Sequence, residues 1–336
     1  MKCLFLFAVT VLLSVTQSIA QSAGVPLRLV QTIALPNVQG RIDHFNVDTK
    51  HRRLFIAALA NHSIEVVDLK SGKWVRSLAG FKKPQGVWYV ESIDKLFIAD
   101  GEDGNCKVYR GSDLRLLTTI PLDLGPDHEA YDPVRKALYV GYGGEDAGKN
   151  YGELGIIDTV ADKHTGDVRT DAHPGAVIIE NPGKTVLVTN PKAQEIAVID
   201  EKARAVTAKW VIPEQLPVAL ALDQARKRLF VGTRNPPLLL VFDETSHKLI
   251  TTLPSVGLMD DMYFDAHRRR IYVSGGEGFV LIYQQLDPDH YKEIAKIQTG
   301  ATARTSLLVP EFNRYYVAVP AAQNRGAEIQ VYEPRP

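Results

Sequence analysis

Two dipeptides, Asp43-His44 and Asp127-His128, repeat the same acid and imidazole, and a third pair, Asp260-Asp261, adds two carboxylates. Glu129 follows the second pair. Carboxylates and imidazoles together form a donor set for a divalent cation. Oxygen donors alone favour calcium or magnesium. Two histidines with carboxylates suit zinc, manganese or iron. A metal held there acts as a Lewis acid or generates a hydroxide nucleophile, with a spare His or Glu as general base. Arg41, Lys83, Gln85, His173 and Arg304 form a candidate ligand-binding set with Glu129. Arg41, Lys83 and Arg304 can hold an anion by charge-assisted hydrogen bonds. All of these residues are scattered along the chain, so the chemistry depends on elements that bring them together.

Those elements repeat seven times. Strands beginning at Leu54, Leu96, Leu138, Val186, Leu229, Ile271 and Tyr315 read LFIA, LFIA, LYVG, VLVT, LFVG, IYVS and YYVA. Their spacings run from 42 to 48 residues. A period near forty, carried by β-branched and aromatic residues, predicts an all-β, seven-bladed β-propeller with four antiparallel strands per blade. In blade 1 the reading places strand A at Asp43 to Val47, B at Leu54 to Ala57, C at Ser63 to Asp68 and D at Trp74 to Leu78. Asp68, Asp158, Asp200 and Asp243 end successive C strands and are read as turn-starting residues that bond the backbone beyond them. The last blade stops after its third strand, Ala327 to Tyr332, whereas Leu29 to Leu35 is an orphan strand near the other end. The N-terminal strand should therefore complete the last blade and remove two exposed sheet edges.

At LFIA, LYVG, LFVG and IYVS the chain resembles the YVTN-type β-propeller repeat proteins, within the broader quinoprotein-like and cytochrome d1-like propellers. The resemblance implies the fold over nearly the whole chain. It implies no single activity, because one fold hosts many functions.

In such a ring the D–A and B–C loops share one face, here the top. Aligned on strand B, the start of strand A carries Asp43, Gln85, Asp127, Gly175, Val218, Asp260 and Arg304 at one position. The next position carries His44, Gly86, His128, Ala176, Ala219, Asp261 and Thr305. These positions should surround the channel mouth. Adjacent strand residues point to opposite sides, so both members of a pair need not face the channel. An alternative keeps His44 and His128 as hydrogen-bonding residues within their own blades. The long loop from Gly141 to Gly152 is read either as a lid or as a tolerated insertion. The opposite face carries basic A–B turns, including His51-Arg52-Arg53 and His267 to Arg270. These are either solvated turns or a polyanion surface. The aromatic interleaving that nucleic-acid stacking needs is missing from them, which disfavours a nucleic-acid partner.

The first twenty residues read as a secretory signal: Lys2, an apolar run from Leu4 to Val15, and Ser18-Ile19-Ala20 for cleavage. The expected product is a single propeller domain over residues 21–336, exported to the periplasm or the cell exterior. The apolar run is shorter than the roughly 20 residues of a membrane helix, and no later segment reads as one. The chain has 39 basic and 39 acidic residues, and only Lys2 lies in the leader, so no polyelectrolyte signal remains. Cys106 is the one cysteine outside the leader, which leaves no partner for a disulfide. No P-loop, GxSxG, HExxH or haem-attachment motif is present. The leading expectation is an exported binding or scaffold protein whose top face takes a small polar ligand, a glycan or a protein. The alternatives are a metal-dependent lyase or hydrolase at the mouth, and a polyanion binder using the basic turns.

Overall fold

The computed structural model describes residues 24–212 and 215–336; the expected leader lies outside them. Each B strand is buried nearly throughout, as in Arg53–Ala58 and Arg270–Gly275. Such a strand is covered on both faces, which is why it reads as a continuous apolar run rather than an alternation. The outer D strand Lys73–Ala79 is mostly exposed, and its sequence is correspondingly mixed. Seven four-stranded antiparallel sheets result among the described residues. The repeat-derived boundaries for blade 1 agree within two residues, with C at Ser63–Asp68.

The turns follow from side-chain chemistry. Asp68, Asp158 and Asp243 each accept two backbone N–H groups from the turn beyond them, and Asp200 accepts one from Ala203. At the same end of the blades, Asp48, Asp132, Asp223 and Asp265 do the same for the A–B turns. Those turns place Arg52, Lys136, Lys227 and Arg269 in the left-handed region, with φ between 52° and 60°. A short Asx turn compensates for that conformational cost.

The ring closes as the orphan strand requires. Leu27–Leu35 pairs antiparallel with Ala327–Pro334, which continues to Arg314–Val319 and Ser306–Val309. The apolar core is not one centre but a set of clusters between neighbouring blades. One cluster joins Ile33, Leu35 and Ile329 to Phe45 and Ile56, fastening blade 7 to blade 1. Another stacks Tyr272 on Tyr315 and takes Leu27 as well. The tryptophans sit at such seams, as expected: Trp210 packs between blades 4 and 5 and stacks on His247. Trp88 packs between blades 2 and 3 and also lines the channel.

Closure is therefore an energetic as well as a topological matter. Ile33→Ala removes a side chain that is 2% exposed and should cost about 2–5 kcal/mol. Val30→Ala, on the exposed side of the same strand, should cost less than about 0.5 kcal/mol. Equilibrium denaturation of both variants checks this; equal effects would mean that the strand does not clamp the ring.

Candidate functional site

Strand A lines the axis, and its first residues form the mouth. There the ladder is irregular in the same way around the ring. In blade 1, Asp43 donates its N–H to Ala57 O and Ala57 donates to His44 O, so two residues oppose one. Asp127-His128 opposes Gly141, and Gly175-Ala176 opposes Thr189, with the same bonds. Register shifts put Gln85-Gly86, Val218-Ala219 and Asp260-Asp261 at the equivalent places in blades 2, 5 and 6. This is a β-bulge, which re-aims side chains next to a site. It answers the concern that adjacent residues must diverge: His44 Nε2 lies 3.8 Å from the Asp43 carboxylate.

His44, Asp127 and His128 come together, each offering one donor atom, all within 4.8 Å of one another. Asp127 Oδ1 is 3.9 Å from His44 Nε2 and 3.7 Å from His128 Nδ1. The two imidazole rings are 4.2 Å apart. Both ring nitrogens of His128, Nε2 of His44 and Oδ1 of Asp127 are buried and make no hydrogen bond. Of the other predicted metal residues, Asp43 adjoins His44 Nε2, and all three are held by further partners. Asp261 lies 3.4 Å from His44 Nδ1 and accepts the Ser306 N–H, so it orients the imidazole from behind. Asp43 accepts a hydrogen bond from Arg41 at 3.0 Å. Asp260 pairs with Arg234 and lies 3.6 Å from Arg41.

The remaining predicted residues also divide. Glu129 lines the channel, with Oε2 buried and unpartnered and Oε1 4.0 Å from the Cys106 thiol. Gly86 makes room for it: a Cβ there would meet Glu129 Cγ at 2.9 Å and Asp127 O at 2.1 Å. Gln85 is buried, and Lys83 is tied through its backbone N–H to Asp100. His173 gives Nδ1 to Gly143 O at 3.0 Å and lines a separate 400 Å³ cavity under the long loop. Arg304 shares the mouth with Arg41 and Arg234. Arg234, at the end of strand B in blade 5, was not among the predicted site residues. Below the mouth the channel is a cavity of about 380 Å³ with apolar walls that include Val87, Val177 and Met262.

The electrostatics are those of a crowded, dry cluster. Burial pushes the Asp43 carboxyl up to about 6, against the pull of His44 and Arg41. Burial works against a charged His44, but Asp261, Asp43 and Asp127 outweigh it and hold its pKa well above the usual range. Burial also opposes ionisation of Asp127, yet His128, His44 and His173 hold that carboxyl well below its usual range. Glu129 goes well up, chiefly through burial.

The basic turns are occupied differently from a polyanion surface. Arg53 pairs with Asp48 and reaches Gly111 O of blade 2. Arg135 bonds Glu201 and Gly183 O of blade 4, and Arg228 bonds Asp289 of blade 6. Arg268 bonds Asn313 of blade 7. These four arginines staple blades together, while Arg52, Lys136, Lys227 and Arg269 of the same turns remain exposed.

No protein-family model matches the chain, and no curated protein matches it. Among solved structures it is similar to a chain of Kuenenia stuttgartiensis hydrazine synthase, with a TM-score of 0.72 and 18% identity over 88% of this chain and 97% of that one. It is also similar to a chain in a crystal structure of the mitotic checkpoint complex, with a TM-score of 0.76 and 11% identity over 99% and 98%. The fold is a seven-bladed β-propeller. At these identities the likeness reaches no further than that, and no helix of the described residues is long and apolar enough to cross a membrane.

One staple is pH-sensitive. Glu201 is pushed up to about 7 by burial first, then by its hydrogen bond and repulsion with Asp132. A carboxyl raised on folding stabilises fully below its ordinary pKa and loses that contribution as pH rises through the folded value. Stability should therefore fall between about pH 4.5 and 7.5 in the wild type. Glu201→Gln should flatten that slope, as read from denaturation midpoints across the range; parallel curves would refute the assignment.

Proposed function

We propose that the protein is an exported propeller of the YVTN type that binds a small polar ligand at its channel mouth through a divalent transition metal. His44, Asp127 and His128 would hold the ion. The carrying observation is that the donor atoms of all three are buried, unpartnered and mutually close. A buried polar atom without a partner costs about 1–3 kcal/mol, so several at one point call for a common partner. Donors around one zinc, with bonds of roughly 2.0–2.2 Å, lie at most about 4.4 Å apart, so small side-chain rotations close this set on an ion. Two imidazoles and one carboxylate favour zinc, manganese or iron over calcium. Asp261 behind His44 supports this, since a carboxylate that receives the far ring nitrogen fixes tautomer and orientation. The apolar leader supports export, and the LFIA and LYVG repeats support the YVTN type.

Elemental analysis of the purified protein tests the metal. The expected result is about one transition-metal ion per chain, reduced at least tenfold by His128→Ala or Asp127→Asn. Metal-free protein whose thermal midpoint ignores both zinc and chelator would sink the reading.

One observation favours an enzyme as the second reading. Glu129 is a carboxyl beside the metal donors whose pKa burial raises well above the usual carboxylate range, the direction a general acid in a lyase or hydrolase needs. Zinc-loaded protein would then cleave an activated ester such as p-nitrophenyl acetate, and Glu129→Gln would lower kcat about 10²–10⁴-fold while keeping the metal. Equal turnover in the two proteins would leave only the binding role.

A further inference from the structure

The arginines on the other side of the mouth bear on what the ligand is. Around the ring, Asp260 of blade 6, Arg304 of blade 7 and Asp43 of blade 1 occupy the same position at the start of strand A. Arg304 therefore stands between two carboxylates, and each already holds another arginine through its Oδ1, while Asp43 Oδ2 and Asp260 Oδ2 make no hydrogen bond. Asp43 takes Arg41 at 3.0 Å, and Asp260 takes Arg234, with Arg41 at 3.6 Å. Arg304 has no ion pair or side-chain hydrogen bond among the described residues, and its Nε is buried without a partner. Burial and the fields of Arg41 and Arg234 weigh against its charge and outweigh the attraction of Asp260 and Asp43.

Three guanidiniums thus meet two carboxylates directly, with Asp127 a third negative charge acting on Arg41. Such crowding of half-buried like charges works against folding unless something neutralises it. Position argues for a ligand rather than for a structural partner. Arg304 is at the channel mouth, and its neighbour Asp43 is 3.8 Å from the imidazole of His44. The cationic patch and the metal donors are two walls of one opening. A guanidinium presents a planar fork of donors that matches a carboxylate or a phosphate, whereas a neutral sugar would leave the charge uncompensated.

We propose that Arg304, flanked by Arg41 and Arg234, is an oxyanion site, and that the ligand is a small polyanion. One carboxylate or phosphate group would cap Arg304 while a second oxygen reaches the metal. The second contact rests on the metal reading above; the first does not. Gln85 and Lys83, on the blade 2 side of the mouth, are outside this patch.

Calorimetric titration of the mature protein at low salt tests this, with malonate, inorganic phosphate and glycerol as probes, in metal-free and zinc-loaded forms. Malonate or phosphate should bind and glycerol should not; whichever anion binds more tightly identifies the group. Arg304→Gln should weaken that anion at least tenfold, about 1.4 kcal/mol, and leave zinc affinity unchanged. Arg304→Lys should recover part of the loss. Without anion, Arg304→Gln should melt at the wild-type temperature or above it, because it removes a repelled charge. A purely structural arginine would give a lower midpoint. Anion affinity that is equal in wild type and Arg304→Gln, or absent from both, overturns the proposal. If zinc fails to bind while anion binding still depends on Arg304, the metal reading falls and the oxyanion site stands.

Discussion

Ring closure is the constraint on which everything else depends. A four-stranded blade cannot bury both faces alone, so each needs a neighbour on either side. The chain satisfies this only when Leu27–Leu35 pairs with Ala327–Pro334 and brings blade 7 against blade 1. That closure also makes Arg304 a neighbour of Asp43, although one lies near the end of the chain and the other near its start. The mouth exists as a chemical object only in the closed ring.

Within the ring, the bulge at the start of strand A does the local work. One extra residue lets two consecutive side chains reach the mouth from a single blade. Seven blades thereby offer twice as many positions as a regular strand would. In blade 4 they hold Gly175 and Ala176, in blade 5 Val218 and Ala219, and in blades 1, 3 and 6 acids and imidazoles. Gly86 is part of the same arrangement, since its missing side chain is the space that Glu129 fills.

The mouth and the rim of the blades treat charge in opposite ways. At the A–B turns, arginines find oxygen acceptors of neighbouring blades. At the mouth, donors and acceptors are brought close without being paired. Unpaired buried groups reduce stability, and they recur where a protein completes its interactions with a ligand.

The sequence by itself determined the blade number, the strand order and the closure, because apolar periodicity and turn residues are local and repeat seven times. It also singled out the top mouth, because symmetry between repeats fails there. Only the tertiary structure decided which residues meet. Asp43, Asp260 and Asp261 looked equivalent to Asp127 in the alignment, yet Arg41, Arg234 and His44 claim them. The basic turns read as solvated turns or a polyanion surface, and the structure uses four of their arginines as staples between blades. Both outcomes depend on distances across blade boundaries, set by the closed ring rather than by any repeat. A repeat pattern records what each blade contributes, but pairing between charges falls off over a few ångströms and is settled only in three dimensions.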